Sequence, residues 1–384
     1  MFVHIKYDEI HALIFSEPLA RRGRTYYNNA MNEHNMPDKV WSKASIWGRT
    51  RRELSEFFIA HGENPAKADL VFRALYRENC RDLARLEQLS PRVRQILQAH
   101  FDLELPVVEE RLENDKALKL LLRLSDGQRV ESVVMKHGFG WSLCLSTQAG
   151  CAMGCAFCAS GRRGRLRQLL PQEMTGQLLL AREEARRWGQ DLRGLALMGV
   201  GEPLDNLDNV LAFLDIAGDI RGLDFGPRHI TLSTCGLPAG IRRLAQQPRP
   251  HNLCLSLHAP TDQLRSQLMP INRVYGLPVV LEAVRYYAQR TRQRVIMEYA
   301  LLDGVNDSDQ CAAQLTSLLQ EQPFPCSVNL IPFNPTDSAF RPSPRPRVLR
   351  FYDILKQAGL SATIRKEMGS DIKAACGQLR AESK

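Results

Sequence analysis

The chain has 384 residues, 44% of them hydrophobic and 24% charged, with a net charge of +9. These values suit one large globular domain with additions, or two domains, and permit a polyanionic partner without requiring one. No apolar run reaches the roughly 18 residues of a membrane span, and acids break the apolar patch of MFVHIKYDEIHALIFSEPLARRGR, unlike a signal peptide. Ten cysteines in a chain read as cytoplasmic argue against a disulfide framework and for metal or redox chemistry.

Residues 1–48 form an N-terminal extension of mixed pattern, with YYNNAMNEHNM reading as loop, and no role follows from them. Residues 49–105 carry helical periodicity in Leu54, Phe57 and Phe58, in Leu70, Val71, Leu75 and Tyr76, and in Val93, Ile96 and Leu97. Ser90-Pro91 marks a helix start. Residues 106–140 read as a hairpin connection, ALKLLLRLSDGQRVESVVMKH, turning at Asp126-Gly127.

Between 141 and 345, strand-like runs (GLALMGV, HITLSTC, NLCLSLHA, RVIMEYALL, CSVNLIPF) alternate with helical ones (LDNVLAFLDIA, LPAGIRRLAQQ, LPVVLEAVRYYAQ, DQCAAQLTSLLQ). Such alternation predicts an α/β fold with a parallel sheet, whose ligands bind at the carboxyl ends of the strands. Polar clusters stand at those ends: Gly201-Glu202-Pro203, Ser233-Thr234, Ser256-Leu257-His258 and Asn334. FRPSPRPR (340–347) links to a last helix, a strand and a tail in 346–384.

CAMGCAFC places Cys151, Cys155 and Cys158 within eight residues. Thiolates bind zinc and iron–sulfur clusters. Structural zinc wants four protein ligands, and no second pair stands nearby. Three ligands on a cubane leave one iron open to a substrate. The competing readings are an incomplete zinc site or incidental thiols. This C-x3-C-x2-C spacing, just after a strand that opens an α/β barrel, resembles the radical S-adenosylmethionine (SAM) superfamily. The resemblance implies a 4Fe-4S cluster held by Cys151, Cys155 and Cys158. SAM would be chelated at the free iron and cleaved reductively to a 5′-deoxyadenosyl radical. Phe157 is the aromatic residue common in that loop.

Further segments follow in order: CLSTQAGCAMGCAFCASG, MGVGEPLDNLDNV, HITLSTCG, LSLHAPTDQLRSQLMPINR, EYALLDGVNDS, VNLIPFNP and GSDIKAACGQL. Together they resemble the bacterial adenine methyltransferases of 23S ribosomal RNA over roughly residues 50–380. This family methylates carbon 2 of adenine, and a sister group conferring antibiotic resistance methylates carbon 8 of the same base; VVMKHGFGWSLC and SDIKAACGQL fit both branches, so carbon-8 methylation stands as the first alternative. The resemblance implies a partial (β/α)6 radical SAM barrel, a small N-terminal helical RNA-binding domain and a C-terminal catalytic tail. It implies that Cys376 is methylated by a first SAM. The radical from a second SAM then takes a hydrogen from that S-methyl group, and the methylene carbon adds to the adenine. Cys144 would resolve the protein–RNA adduct, and Glu131 would be the proton acceptor. Gly201 and Glu202 would meet the methionine amino group of SAM. Ser233, Ser256, Leu257 and His258 would line its ribose and carboxylate side, and Asn334 its adenosine end. Partners would be 23S rRNA, tRNA and an external electron donor such as flavodoxin, with the enzyme a monomer.

Taken alone, Cys376 reads as a tail thiol, Cys144 as a buried strand cysteine and His258 as a satisfied strand-end histidine. The motif context reverses those readings. Four arginines in SGRRGRLRQ (Arg162, Arg163, Arg165, Arg167) read as a solvated face or as phosphate contacts. Cys235 stands where the resembled family carries serine, while Cys254, Cys311 and Cys326 read as core. Two other classes compete: a non-catalytic cluster-bearing RNA-binding protein, and a radical SAM enzyme acting on a small molecule. Retention of Cys144, Glu131 and Cys376 opposes the first, and the helical unit and basic charge oppose the second.

Overall fold

Three short helices open the described part of the molecule. They are α1 (Arg51–Ala60), α2 (Lys67–Tyr76) and α3 (Pro91–His100). This computed structural model describes residues 44–379 except Phe139, Arg163 and Glu367, so the reading of residues 1–43 lies outside the described residues. Helix α1 starts in a capping box: Thr50 Oγ1 accepts the Glu53 N–H (3.2 Å) and Glu53 Oε2 accepts the Thr50 N–H (2.8 Å). Ser90 caps α3 from the position before Pro91, as the sequence predicts. In α2 the buried stripe is Ala68, Val71, Phe72, Leu75 and Tyr76, a clean i, i+3, i+4, i+7, i+8 pattern. Leu70 falls off that stripe and is 39% exposed; Phe72 holds the core place expected of it.

The helical unit sits against the α/β part. Arg51 Nε donates to Asp219 Oδ2 (2.8 Å), Arg182 Nη1 donates to the Tyr76 carbonyl (2.7 Å), and Gly222 lets the Phe72 ring lie flush on its backbone.

A ten-stranded sheet forms the rest. Strands β1 (Val107–Glu113), β2 (Ala117–Arg123) and β3 (Arg129–His137) run antiparallel, and β3 pairs antiparallel with β4 (Gly140–Cys144). The hairpin turns at Asp126-Gly127 as predicted, with Asp126 Oδ1 accepting the Gln128 N–H (3.0 Å). Residues 106–140 thus extend the barrel sheet itself. From β4 the chain forms a small ribbon, β5 (Gln148–Gly150) with β6 (Arg165–Gln168), then α4 (Pro171–Arg187). Strands β7 (Leu192–Leu197), β8 (Ile230–Thr234), β9 (Asn252–Ser256), β10 (Val295–Leu301) and β11 (Cys326–Pro332) follow, each parallel to the one before, with β7 parallel to β4. Helices α5 (Leu207–Ala217), α6 (Pro238–Leu244), α7 (Asp262–Leu268), α8 (Leu277–Thr291) and α9 (Asp309–Gln320) connect them. These six parallel strands are the partial (β/α)6 barrel. Helix α10 (Arg345–Gln357) then leads to β12 (Ala362–Ile364), parallel to β11.

Helices α4 and α7 escape a periodicity reading. The buried face of α4 includes Glu173, Thr175, Gln177 and Glu184, which hide its apolar stripe. Gln177 earns that burial by bridging strands: its Oε1 accepts from Ser132 Oγ (2.8 Å) and the Ser146 N–H (2.9 Å). Cys254 and Cys311 are buried as expected, and Cys326 is only half-buried. Among the described residues no helix is long and apolar enough to cross a membrane.

Candidate active site

The cysteine loop follows directly on β5. Gly150 has φ +76°, and a Cβ there would run into the Gly164 carbonyl oxygen, so only glycine brings the two ribbon strands this close. Cys151 N–H donates to the same Gly164 carbonyl (3.0 Å), and the Ala156 N–H donates to Leu268 O (2.9 Å), which anchors the loop at both ends. Cys151, Cys155 and Cys158 line one cavity of about 150 Å³ at the carboxyl ends of the strands. Burial pushes the Cys151 thiol up to about 12 and also raises Cys158. Cys155 moves the other way because the Cys235 thiol, 3.9 Å away, hydrogen-bonds it. Among the described residues no three Cys, His, Asp or Glu side chains converge tightly enough for a single ion. Three thiols spread around a shared cavity are the donor set for a cluster that takes one cysteine per iron.

The same cavity gathers most of the residues expected to hold SAM: Gly201, Glu202, Ser233, Ser256, His258 and Asn334. Gly201 has φ +114°, and a Cβ would stand 2.7 Å from the Gln148 side chain. Glu202 is buried. Its Oε2 accepts the Cys235 N–H (2.7 Å) and its Oε1 the Leu204 N–H (3.1 Å). Burial raises its carboxyl above the usual range, and these N–H bonds oppose the rise. Ser233 Oγ donates to Glu298 Oε2 (2.9 Å) and lies 3.2 Å from Ser256 Oγ. Asn334 Oδ1 is buried without a partner, an acceptor left open for a ligand. His258 takes φ +55°, accepts the Ala300 N–H at Nδ1 (2.9 Å), and meets the Phe157 ring edge-on at 4.9 Å. Leu257 departs from expectation: its side chain is fully buried and does not line this cavity, and its carbonyl accepts from Arg265 Nε (3.1 Å).

A second cavity of about 530 Å³ adjoins the first, sharing Cys158, Asn334, Arg365 and Cys376 with it. Cys144, at the end of β4, and Cys376 both line it. Burial pushes the Cys144 thiol up to about 12, with Cys376 adding to the shift and Arg365 opposing it. Cys376 is brought there by the tail, whose Ala374 and Leu379 pack on Ala117, Val133 and Cys144. The Ala159 N–H donates to Gly377 O (2.8 Å), and Ser160 Oγ donates to Leu379 O (2.6 Å), so the cysteine loop holds the tail directly.

Glu131 lies apart from both cavities. It borders a third, of about 560 Å³, with its Oε1 3.1 Å from Lys119 Nζ. Lys119 Nζ also donates to the Lys373 carbonyl (3.3 Å). The tail thus borders both cavities, Asp371, Ile372 and Lys373 lining the one at Glu131 and Ala374–Gly377 the one that holds Cys376.

Residues 145–314 match the family model of the Radical SAM superfamily. Over 343 residues the chain is 41% identical to the probable dual-specificity RNA methyltransferase RlmN of Geobacillus thermodenitrificans, covering 88% of this chain and 93% of the relative. The chain belongs to the RlmN family of radical SAM RNA methyltransferases. The RlmN of Caldicellulosiruptor saccharolyticus is 41% identical over 329 residues, 85% of this chain and 94% of the relative. The crystal structure of a radical SAM methyltransferase from Sphaerobacter thermophilus, 40% identical, matches 88% of this chain and all of that one with a TM-score of 0.84. Membership brings a 4Fe-4S cluster and SAM as cofactors, and the thiol set and open acceptor described above fit them.

Two residues of this RlmN-family site escaped the sequence reading. Glu298, inside β10, joins Ser233 to Arg365, whose Nη1 lies 3.5 Å from Glu298 Oε1. Arg365 is held protonated more firmly than usual, first by the charge of Cys376 and then, against its burial, by Glu298. A glutamate within the apolar run RVIMEYALL was the signal available for the first; Arg365 had none. The described arginines after the cluster loop each have an acidic partner: Arg162 with Asp337 (3.4 Å), Arg165 with Asp205, and Arg167 with Glu173 (2.7 Å) and Asp126 (2.6 Å). Phosphate would have to compete with those carboxylates.

Proposed function

We propose that this enzyme methylates carbon 2 of an adenine in 23S rRNA, and in tRNA, through a methylated Cys376. The observation that carries the proposal is the pair of adjoining cavities: the three cysteines of the loop line one, Cys144 lines the other, and Cys376 and Cys158 line both. Cys151, Cys155 and Cys158 would hold the 4Fe-4S cluster. With SAM bound there, it supplies a 5′-deoxyadenosyl radical.

The chain's own residues do the rest. Glu202 takes the amino group of SAM, whose positive charge offsets the burial of its carboxylate. Asn334 offers its free oxygen to the adenosine end. Arg365 presents a fixed charge to a thiolate at Cys376 as that sulfur accepts the first methyl group. Cys144, with its pKa pushed up, stays a thiol and does not compete for that methyl. The methyl on Cys376 would lose a hydrogen atom to the 5′-deoxyadenosyl radical and its carbon would bond to the base, and the resulting adduct radical would give up one electron to a one-electron carrier such as flavodoxin. Glu131 takes the ring proton, the role that the family resemblance implies for it. Cys144 then gives up its proton and attacks the Cys376 sulfur: the S–S bond forms as the bond from sulfur to the methylene carbon breaks, a proton completes the methyl group on the released base, and a dithiol reductant returns the disulfide to two thiols. A cytoplasmic monomer reduced by an external one-electron donor such as flavodoxin completes the reading.

The test is an anaerobic assay with SAM carrying a deuterated methyl group, a reductant, and a 23S rRNA fragment or tRNA. Labelled 2-methyladenosine in the digested RNA is the expected result. Labelled 8-methyladenosine would move the enzyme to the sister activity. Cleavage of SAM without a labelled nucleoside would overturn the substrate.

A further inference from the structure

Cys235 has no part in the mechanism above, yet it faces the cysteine loop. It follows β8 and lines the 150 Å³ cavity, with its Sγ 3.9 Å from that of Cys155. Its main chain is held on both sides. The N–H donates to Glu202 (2.7 Å), and the carbonyl accepts from Arg265 Nη2 (2.7 Å). Arg265 is fully buried and also donates to Leu257 O (3.1 Å), Ser256 O (3.0 Å) and Asn272 Oδ1 (2.7 Å), so it cannot swing away without orphaning several bonds. Gly236 follows at φ +102°, where a Cβ would stand 2.7 Å from Val280. Across the cavity, Cys155 is fixed by the tie from Ala156 to Leu268 and by the Cys158 N–H donating to its own carbonyl (3.0 Å). Two separately anchored segments thus present one thiol to the other.

We propose that Cys235 is a positioning residue for the cluster: its S–H donates a hydrogen bond to the Cys155 sulfur and draws electron density from that ligand. The inference rests on the reading of Cys155 as a cluster ligand. A hydrogen bond to a ligating sulfur favours the more negative, reduced state, and so raises the reduction potential. A serine at 235 would keep a donor in place; an alanine or valine would not.

The experiment compares parent, Cys235→Ala and Cys235→Ser proteins, reconstituted anaerobically and matched for iron and sulfide content. Midpoint potentials are read by dye-mediated titration with electron paramagnetic resonance. The expected result is a more negative potential in Cys235→Ala, by about tenfold in the one-electron equilibrium, or ~59 mV, with Cys235→Ser near the parent. A parent-like potential in Cys235→Ala, or an equal displacement in Cys235→Ser, overturns the proposal. If Cys235→Ala takes up no iron, Cys235→Val fills the space without a donor, and equal potentials for it and Cys235→Ser are the overturning result. Full iron uptake by Cys155→Ala would instead remove the ligand reading, a failure distinct from the other.

Discussion

His258 and His251 are buried where a charged imidazole has no acceptor waiting. His258 Nδ1 accepts the Ala300 N–H, a bond that protonation would forfeit, and His251 Nδ1 has no partner at all. Burial pushes their pKa values down to about 3 and about 4, with Arg265 and Arg249 adding to the shifts. A depressed folded value means stability that is present above the unfolded value near 6.5 and is lost as pH falls toward the folded one. At pH 5 each histidine should cost about 2 kcal/mol. Urea denaturation of cluster-free protein at pH 7 and pH 5 checks this: a His251→Asn/His258→Asn variant should lose roughly 4 kcal/mol less than the parent over that interval. At this scale the sequence was legible where chemistry is local. Three cysteines in eight residues carry their meaning in their spacing. Glu298 and Arg365 carry theirs only through each other, across strands 67 residues apart.

The β5–β6 ribbon is the element on which the cluster loop depends. It lies outside the ten-stranded sheet, so it can fail while the barrel stands. Gly150→Ala should strain it by roughly 1–3 kcal/mol, from both the positive φ and the encounter with Gly164. The expected outcome is loss of iron uptake on reconstitution, with circular dichroism and melting temperature near those of the parent; a variant that binds iron normally would detach the ribbon from the site. Regular elements were legible here wherever one face is apolar, and α5 and α9 begin and end where their periodicity does. Helix α4 was not, because its buried face is partly hydrogen-bonding. The place of Glu131 was not either: its strand was readable, but the tail residues that share its cavity, Asp371, Ile372, Lys373 and Gln378, belong to the far end of the chain.

The whole molecule joins its helical unit to its barrel through close backbone contact. A Cβ at Gly222 would stand 2.5 Å from the Phe72 ring. Gly222→Val should therefore cost about 1–3 kcal/mol by overpacking, seen as a lower melting temperature and faster amide exchange in α1 and α2. Unchanged exchange there would mean that the docking does not rest on this contact. The α/β class and the parallel sheet were legible from alternation alone, whereas the ten-stranded extent of the sheet was not, because nothing local says that a hairpin will pair with the barrel's first strand.

That extension leaves β1 at the rim, largely exposed, with Glu109, Glu110, Arg111 and Glu113 along it and an irregularity between Val108 and Glu110. Glu109 is held between Arg123 (2.8 Å) and Arg129 (2.5 Å), and Arg111 reaches across to Glu184. An open strand is an invitation to a second copy of the same chain, and a bulged, charge-lined one declines it. The rim gives up apolar burial, and in return its charges and its irregularity work against edge-to-edge pairing.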